Sequence, residues 1–171
     1  GLCNADRVGR LWTIVFWLIG ASARADECVV SSFADSAAAG TLRSCLTNAP
    51  TNRRITFARG GVLPLATPLI VGSASLTIDG LDAGVVIDCA GNDVALRLQA
   101  ADLAITSLAI HGCRGSGFTS GGAILIDGAA ARITLTNLEL FDNDGSGVFV
   151  YVDRPLELHL EDSTFRDNRF D

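Results

Sequence analysis

The chain has 171 residues, enough for one domain with a sizeable core. Apolar residues make up 49% of it and charged residues only 19%, a balance that excludes a disordered segment. Its 19 acidic residues outnumber 13 basic ones, all arginine, and the net charge of −6 argues against nucleic acid, whose phosphates need a basic face.

Residues 1–25 read as an export signal. Arg7 and Arg10 precede the apolar run Leu11–Gly20, and Ala21-Ser-Ala-Arg-Ala25 supplies small residues for cleavage after Ala25. A membrane anchor is the competing reading, but the run falls short of the roughly 20 residues a spanning helix needs. Removing the segment takes away three arginines, one aspartate and both tryptophans and leaves a net charge of −8. No cysteine directly follows the cleavage point, so no lipid anchor is expected. The chain opens on Gly1 and has no methionine, so its start is expected to lie upstream.

Four cysteines remain: Cys28, Cys45, Cys89 and Cys113. An even number in an exported chain favours disulfides, and four cysteines allow three pairings. Cys28–Cys45 and Cys89–Cys113 are favoured, because the second pair is separated by about one repeat and adjacent strands lie about 4.8 Å apart. Buried free thiols are the alternative. Zinc is disfavoured, since there is no Cys-x-x-Cys and His111 and His159 lie apart.

Residues 26–54 differ in pattern from the rest of the chain. Ser36–Ala49 reads as a short helix capped by Thr41, with Leu42, Cys45 and Leu46 on one face and Asn48 and Pro50 at its end. With Cys28-Val-Val30 it is the expected N-terminal cap, because a stack of coils must cover its first apolar layer. From residue 55 to 171 short alternating strands succeed one another: 55–57, 62–65, 69–71, 76–78 and 85–87, separated by glycine, aspartate and asparagine.

Three later stretches superimpose: Leu103–Cys113, Ile133–Asn143 and Leu158–Asn168, which start 30 and then 25 residues apart. Each is apolar at its first and third positions and again at its eighth. The strands 94–98, 123–126 and 148–152 precede them. One coil is therefore three short strands in about 25 to 30 residues, the period of a parallel β-helix. The expected inward columns are Leu103, Ile105, Leu108 and Ile110, then Ile133, Leu135, Leu138 and Leu140, then Leu158, Leu160 and Phe165. The chain stops at Asp171, just past the Asn168 turn, and the natural protein is expected to continue.

Phe33-Ala-Asp-Ser, Gly40-Thr-Leu-Arg, Ile55-Thr-Phe57, Leu65…Pro68-Leu-Ile, Ser75-Leu-Thr-Ile-Asp-Gly80, Val86-Ile-Asp88 and Ser120-Gly-Gly-Ala-Ile124 follow one another in a familiar order. Over residues 28–168 the chain resembles bacterial exported right-handed parallel β-helix proteins of the pectin-lyase-like superfamily. Cell-surface proteins with repeats like those of polymorphic outer-membrane proteins are the nearest in kind. The resemblance implies an all-β, right-handed parallel β-helix and export. It does not fix an activity, because that superfamily holds lyases, hydrolases, adhesins and stalks.

Asp142-Asn143 and Asp167-Asn168 recur at equivalent places. As chemistry they would form a row of carboxylates, together with Asp144, for calcium binding or for acid–base work on a polysaccharide. As structure the asparagines would turn the chain and bond coil to coil, with the aspartates satisfying turn amides. The structural reading is favoured, because the motif recurs with the repeat itself. The glycine-rich loop 111–122 lacks the ending of a phosphate-binding loop, so it reads as a side loop and His111 as a turn residue. His111 and Ser116 have no third partner for a nucleophilic triad.

The paired aspartates and Gly-His-Gly of polygalacturonase relatives are absent. A lyase would use calcium carboxylates with a basic partner such as Arg114, Arg132 or Arg166. The first expectation is therefore a non-enzymatic surface or extracellular scaffold without cofactor or metal. It would present loops 111–122 and 141–147 to glycans or cell-surface partners, with no transmembrane helix after cleavage. The alternative is a polysaccharide lyase or glycoside hydrolase using Asp142, Asp144 and Asp167, with calcium in the lyase case.

Overall fold

A computed structural model describes residues 27–48, 53–72, 75–115, 121–128 and 130–169. The export signal at 1–25 lies outside these residues. Strand β1 (Glu27–Val30) leads to helix α1 (Leu42–Thr47). Coils of three strands come next: β2 (Arg53–Phe57), β3 (Gly61–Pro64) and β4 (Leu69–Val71), then β5 (Ser75–Asp79), β6 (Val85–Asp88) and β7 (Val94–Leu98). After them stand β8 (Asp102–Thr106), β9 (Leu108–His111) and β10 (Gly122–Asp127), then β11 (Arg132–Thr136), β12 (Glu139–Phe141) and β13 (Ser146–Tyr151). Strands β14 (Glu157–Glu161) and β15 (Thr164–Arg166) begin a fifth coil.

Strands pair only with their equivalents one coil away, and every pairing is parallel. The first sheet runs β1-β2-β5-β8-β11-β14, the second β3-β6-β9-β12-β15 and the third β4-β7-β10-β13. The chain is thus a β-solenoid of about five turns, the expected parallel β-helix. Register follows the apolar pattern. Leu103, Ile133 and Leu158 align, as do Ile105, Leu135 and Leu160. Because side chains alternate across a strand, one matched apolar column fixes the whole strand.

Leu103, Ile105, Leu108, Ile110, Ile133, Leu135, Leu138 and Leu140 are buried in one continuous core. Burying each such side chain stabilises by roughly 1.5–3 kcal/mol. Leu158, Leu160 and Phe165 keep the inward register but remain 37%, 45% and 42% exposed. The expectation that they are buried fails because no further coil lies against them among the described residues. Close stacking also selects glycine where strand β10 begins: a Cβ on Gly122 would lie 1.6 Å from the Ser146 carbonyl oxygen.

The cap is shorter in helix than expected. Residues 36–40 turn instead of coiling, with the Thr41 hydroxyl donating to the Ser36 and Ala38 carbonyls. Thr41 Oγ1 then accepts from the Ser44 amide and starts α1. Leu42 and Cys45 are buried, and a disulfide joins Cys45 to Cys28, with Cα atoms 5.9 Å apart. Asp35 clamps the cap to the first coil. It accepts from Arg43 Nε at 2.6 Å and from the Ala66 amide at 2.7 Å, and the Arg43 bond holds its carboxyl below the usual range. Among the described residues no helix is long and apolar enough to cross a membrane.

Candidate functional site

Each coil turns three corners, and the second, between the second and third sheets, carries the aspartates. Three stacked segments build it: His111–Arg114, Phe141–Asp144 and Arg166–Arg169. At each, one residue takes a left-handed backbone, Gly112 at φ 72°, Asp142 at φ 50° and Asp167 at φ 54°. A single left-handed residue bends the strand sharply, and aspartate tolerates that conformation better than most residues. The next residue therefore points inward and the aspartate points out.

The inward residue is the asparagine. Asn143 is fully buried; its Oδ1 accepts from the Cys113 amide at 3.0 Å, and its Nδ2 donates to Asn168 Oδ1 at 2.9 Å and to the Ile110 carbonyl. Asn168 in turn donates to the Leu140 carbonyl at 2.7 Å. This is the expected hydrogen-bonded ladder between coils. Cys113 occupies the corresponding place one coil earlier, and its disulfide to Cys89, with Cα atoms 4.8 Å apart, continues the ladder as a covalent rung.

The aspartates do not satisfy turn amides, contrary to expectation. Asp142 and Asp144 are exposed and accept no hydrogen bond among the described residues, and Asp167 has only an Arg166 guanidinium at 3.5 Å. The turn amides are instead satisfied elsewhere, by Asp79 for Leu81 and by Asp88 for Ala90, each at 2.8 Å. The difference comes from backbone: Asp79 and Asp88 end strands and fold back over the next turn, whereas Asp142 and Asp167 sit at the bend itself.

Asp142, Asp144 and Asp167 line one groove of about 540 Å³ together with Arg114, Arg169 and His111. Arg114, Asp144 and Arg169 pair in parallel, so cation, anion and cation alternate along the rim. The three aspartates share the groove. Among the described residues no three His, Cys, Asp or Glu side chains form a group able to hold a metal ion.

Of the three arginines expected beside the carboxylates, Arg114 lines the groove. Arg132 lies on the first sheet and pairs with Glu157 at 3.0 Å. Arg166 lies on the outer face of β15, paired with Glu139 at 2.8 Å and 4.1 Å above the Phe141 ring. His111 ends strand β9 and is not a turn residue; its ring stacks on Phe141 with centroids 5.0 Å apart. Within loop 111–122, residues 116–120, including Ser116, lie outside the described residues. Arg169 was missed, although extending the three-way alignment by one residue gives Arg114, Asp144 and Arg169.

A second polar ladder also escaped the sequence reading. It occupies the first corner, between the first and second sheets, where Asp82, Ser107, Asn137 and Asp162 are all left-handed. Ser107 Oγ donates to Asp82 Oδ1 at 2.6 Å, and Asn137 Nδ2 donates to the same oxygen at 2.9 Å. Its signal was the polar fifth position of each aligned stretch. No family model matches the chain, and no curated protein or solved structure matches it.

Proposed function

We propose that this chain is an exported, non-enzymatic β-helix scaffold of bacterial origin, akin to the pectin-lyase-like superfamily, that meets extracellular glycans or cell-surface partners at its second corner. One observation carries the reading: the in-register stack brings residues of the two side loops 111–122 and 141–147, His111–Arg114 and Asp142 with Asp144, to the lining of one polar groove. Two disulfides are compatible with an oxidising destination. An alternating rim of arginine and aspartate suits a partner that both donates and accepts hydrogen bonds, as sugars do.

The enzymatic alternative draws on the same groove, because Asp142, Asp144 and Asp167 gather there beside Arg114. Against it stand the motifs the sequence lacks, the adjacent aspartates and the Gly-His-Gly of polygalacturonase relatives. Incubation with acidic and neutral polysaccharides, with and without calcium, separates the readings. Retention on glycans or cells without unsaturated products or new reducing ends is the expected result. Turnover abolished by Asp142→Ala would overturn it.

A further inference from the structure

The third corner, between the third and first sheets, holds a different polar arrangement. Asp127 closes strand β10 on the outer face and is only 7% exposed. Its Oδ2 takes both contacts from Arg97, through Nε at 2.7 Å and through Nη2. Its buried Oδ1 meets no donor among the described residues. A buried carboxylate oxygen without a partner is costly and calls for an explanation. Tyr151 lies beside it in register on the next coil and is 71% exposed. Asp127, Gly128, Tyr151, Val152 and Asp153 line a hollow of about 380 Å³.

We propose that this hollow binds a single neutral sugar ring of a glycan; the idea adds a second site to the scaffold reading above and rests on it. A ring hydroxyl donates to Asp127 Oδ1, reached past Gly128 by a turn of the exposed Tyr151 side chain. The apolar C–H face of the ring lies on the tyrosine, whose amphipathic body suits a ligand apolar on one side and wet on the other. Asp153 accepts from a second hydroxyl. Arg97 offsets the charge of Asp127, so the hollow holds no strong attraction for a cation. Arg154 Nε lies 4.0 Å from Asp153 Oδ1 at the mouth of the hollow, and the net negative charge of the chain as a whole repels polyanions. A neutral saccharide is the class that remains.

Tyr151 is the only tyrosine of the chain, so fluorotyrosine labelling of the whole protein gives one fluorine resonance from the hollow itself. Titration with oligosaccharides of glucose, mannose and galactose is expected to shift and saturate that resonance for at least one of them. The Asp127→Asn chain should need at least tenfold more sugar. The unlabelled Tyr151→Ala chain, changed only at an exposed side chain, should lose at least tenfold in retention on the same immobilised glycan. A resonance that ignores every neutral sugar, or responds instead to polygalacturonate or an alkylammonium salt, overturns the proposal. If that silent chain is still retained on glycans or cells, the hollow fails and the scaffold reading stands. If nothing is retained, both fail.

Discussion

The first and second corners of the stack solve one problem in two ways. Both bend through left-handed residues, most of them small and polar: Asp82, Ser107, Asn137 and Asp162 at the first, Asp142 and Asp167 at the second. At the first corner three of the bending residues bond to one another, Ser107 and Asn137 both donating to Asp82 Oδ1 and Asn137 donating to Ser107 Oγ as well. At the second corner the ladder is built by the residues one step further on, Asn143 and Asn168, and the bending aspartates are left facing water. Comparable backbone demands thus yield two kinds of seam: on the first edge the bending side chains themselves tie coil to coil, on the second the residues one step further on do so. What a polar residue bonds to, not its recurrence, separates the two roles.

The shared requirement is the apolar interior, and disturbing it should cost most. Leu138→Asp places a charge in the core and should lower stability by about 4–5 kcal/mol or more, enough to unfold a domain of ordinary stability. Neighbouring Glu139→Ala should stay within about 0.5 kcal/mol, having only a half-exposed ion pair to lose. Urea unfolding followed by circular dichroism compares them, and equal effects would refute the inward assignment.

Next comes the buried seam of the second corner. Asn143→Ala strands the Cys113 amide and removes the bonds to the Ile110 carbonyl and to Asn168 Oδ1, and should cost about 2–3 kcal/mol in the same measurement. At the first corner Asn137→Ala should cost about 1 kcal/mol, since its ladder is exposed and part of the loss is backbone tolerance of the left-handed bend. A larger effect at Asn137 than at Asn143 would reverse the ranking of the two corners. Smallest of all, Asp142→Asn should leave stability within about 0.5 kcal/mol while altering glycan or cell retention, because its carboxylate makes no bond within the chain among the described residues.

The architecture was readable because a β-helix repeats its packing. Leu103 and Ile133 declare the same inward column through spacing alone, and one repeat of separation pointed to Cys89–Cys113. Asp142, Asp144 and Asp167 could be grouped by the same alignment. Their direction could not, because it turns on one backbone angle that composition does not reveal. Asp88 joins the groove from a coil whose turn bends at Ala90 and Gly91 and so matches no repeat. The Arg97–Asp127 pair spans 30 residues and neighbouring columns, a proximity that emerges only once register is known.

The covalent rung between Cys89 and Cys113 bears on how the protein behaves under tension. A stack pulled from its ends would unwind coil by coil, yet the 24-residue span closed by that bond cannot be drawn out while the sulfurs stay joined. At about 3.3–3.6 Å per extended residue, roughly 80 Å of contour is withheld. Stretching single molecules before and after reduction should reveal that hidden length, and a tether worn outside a cell would gain from it a fixed limit to its reach.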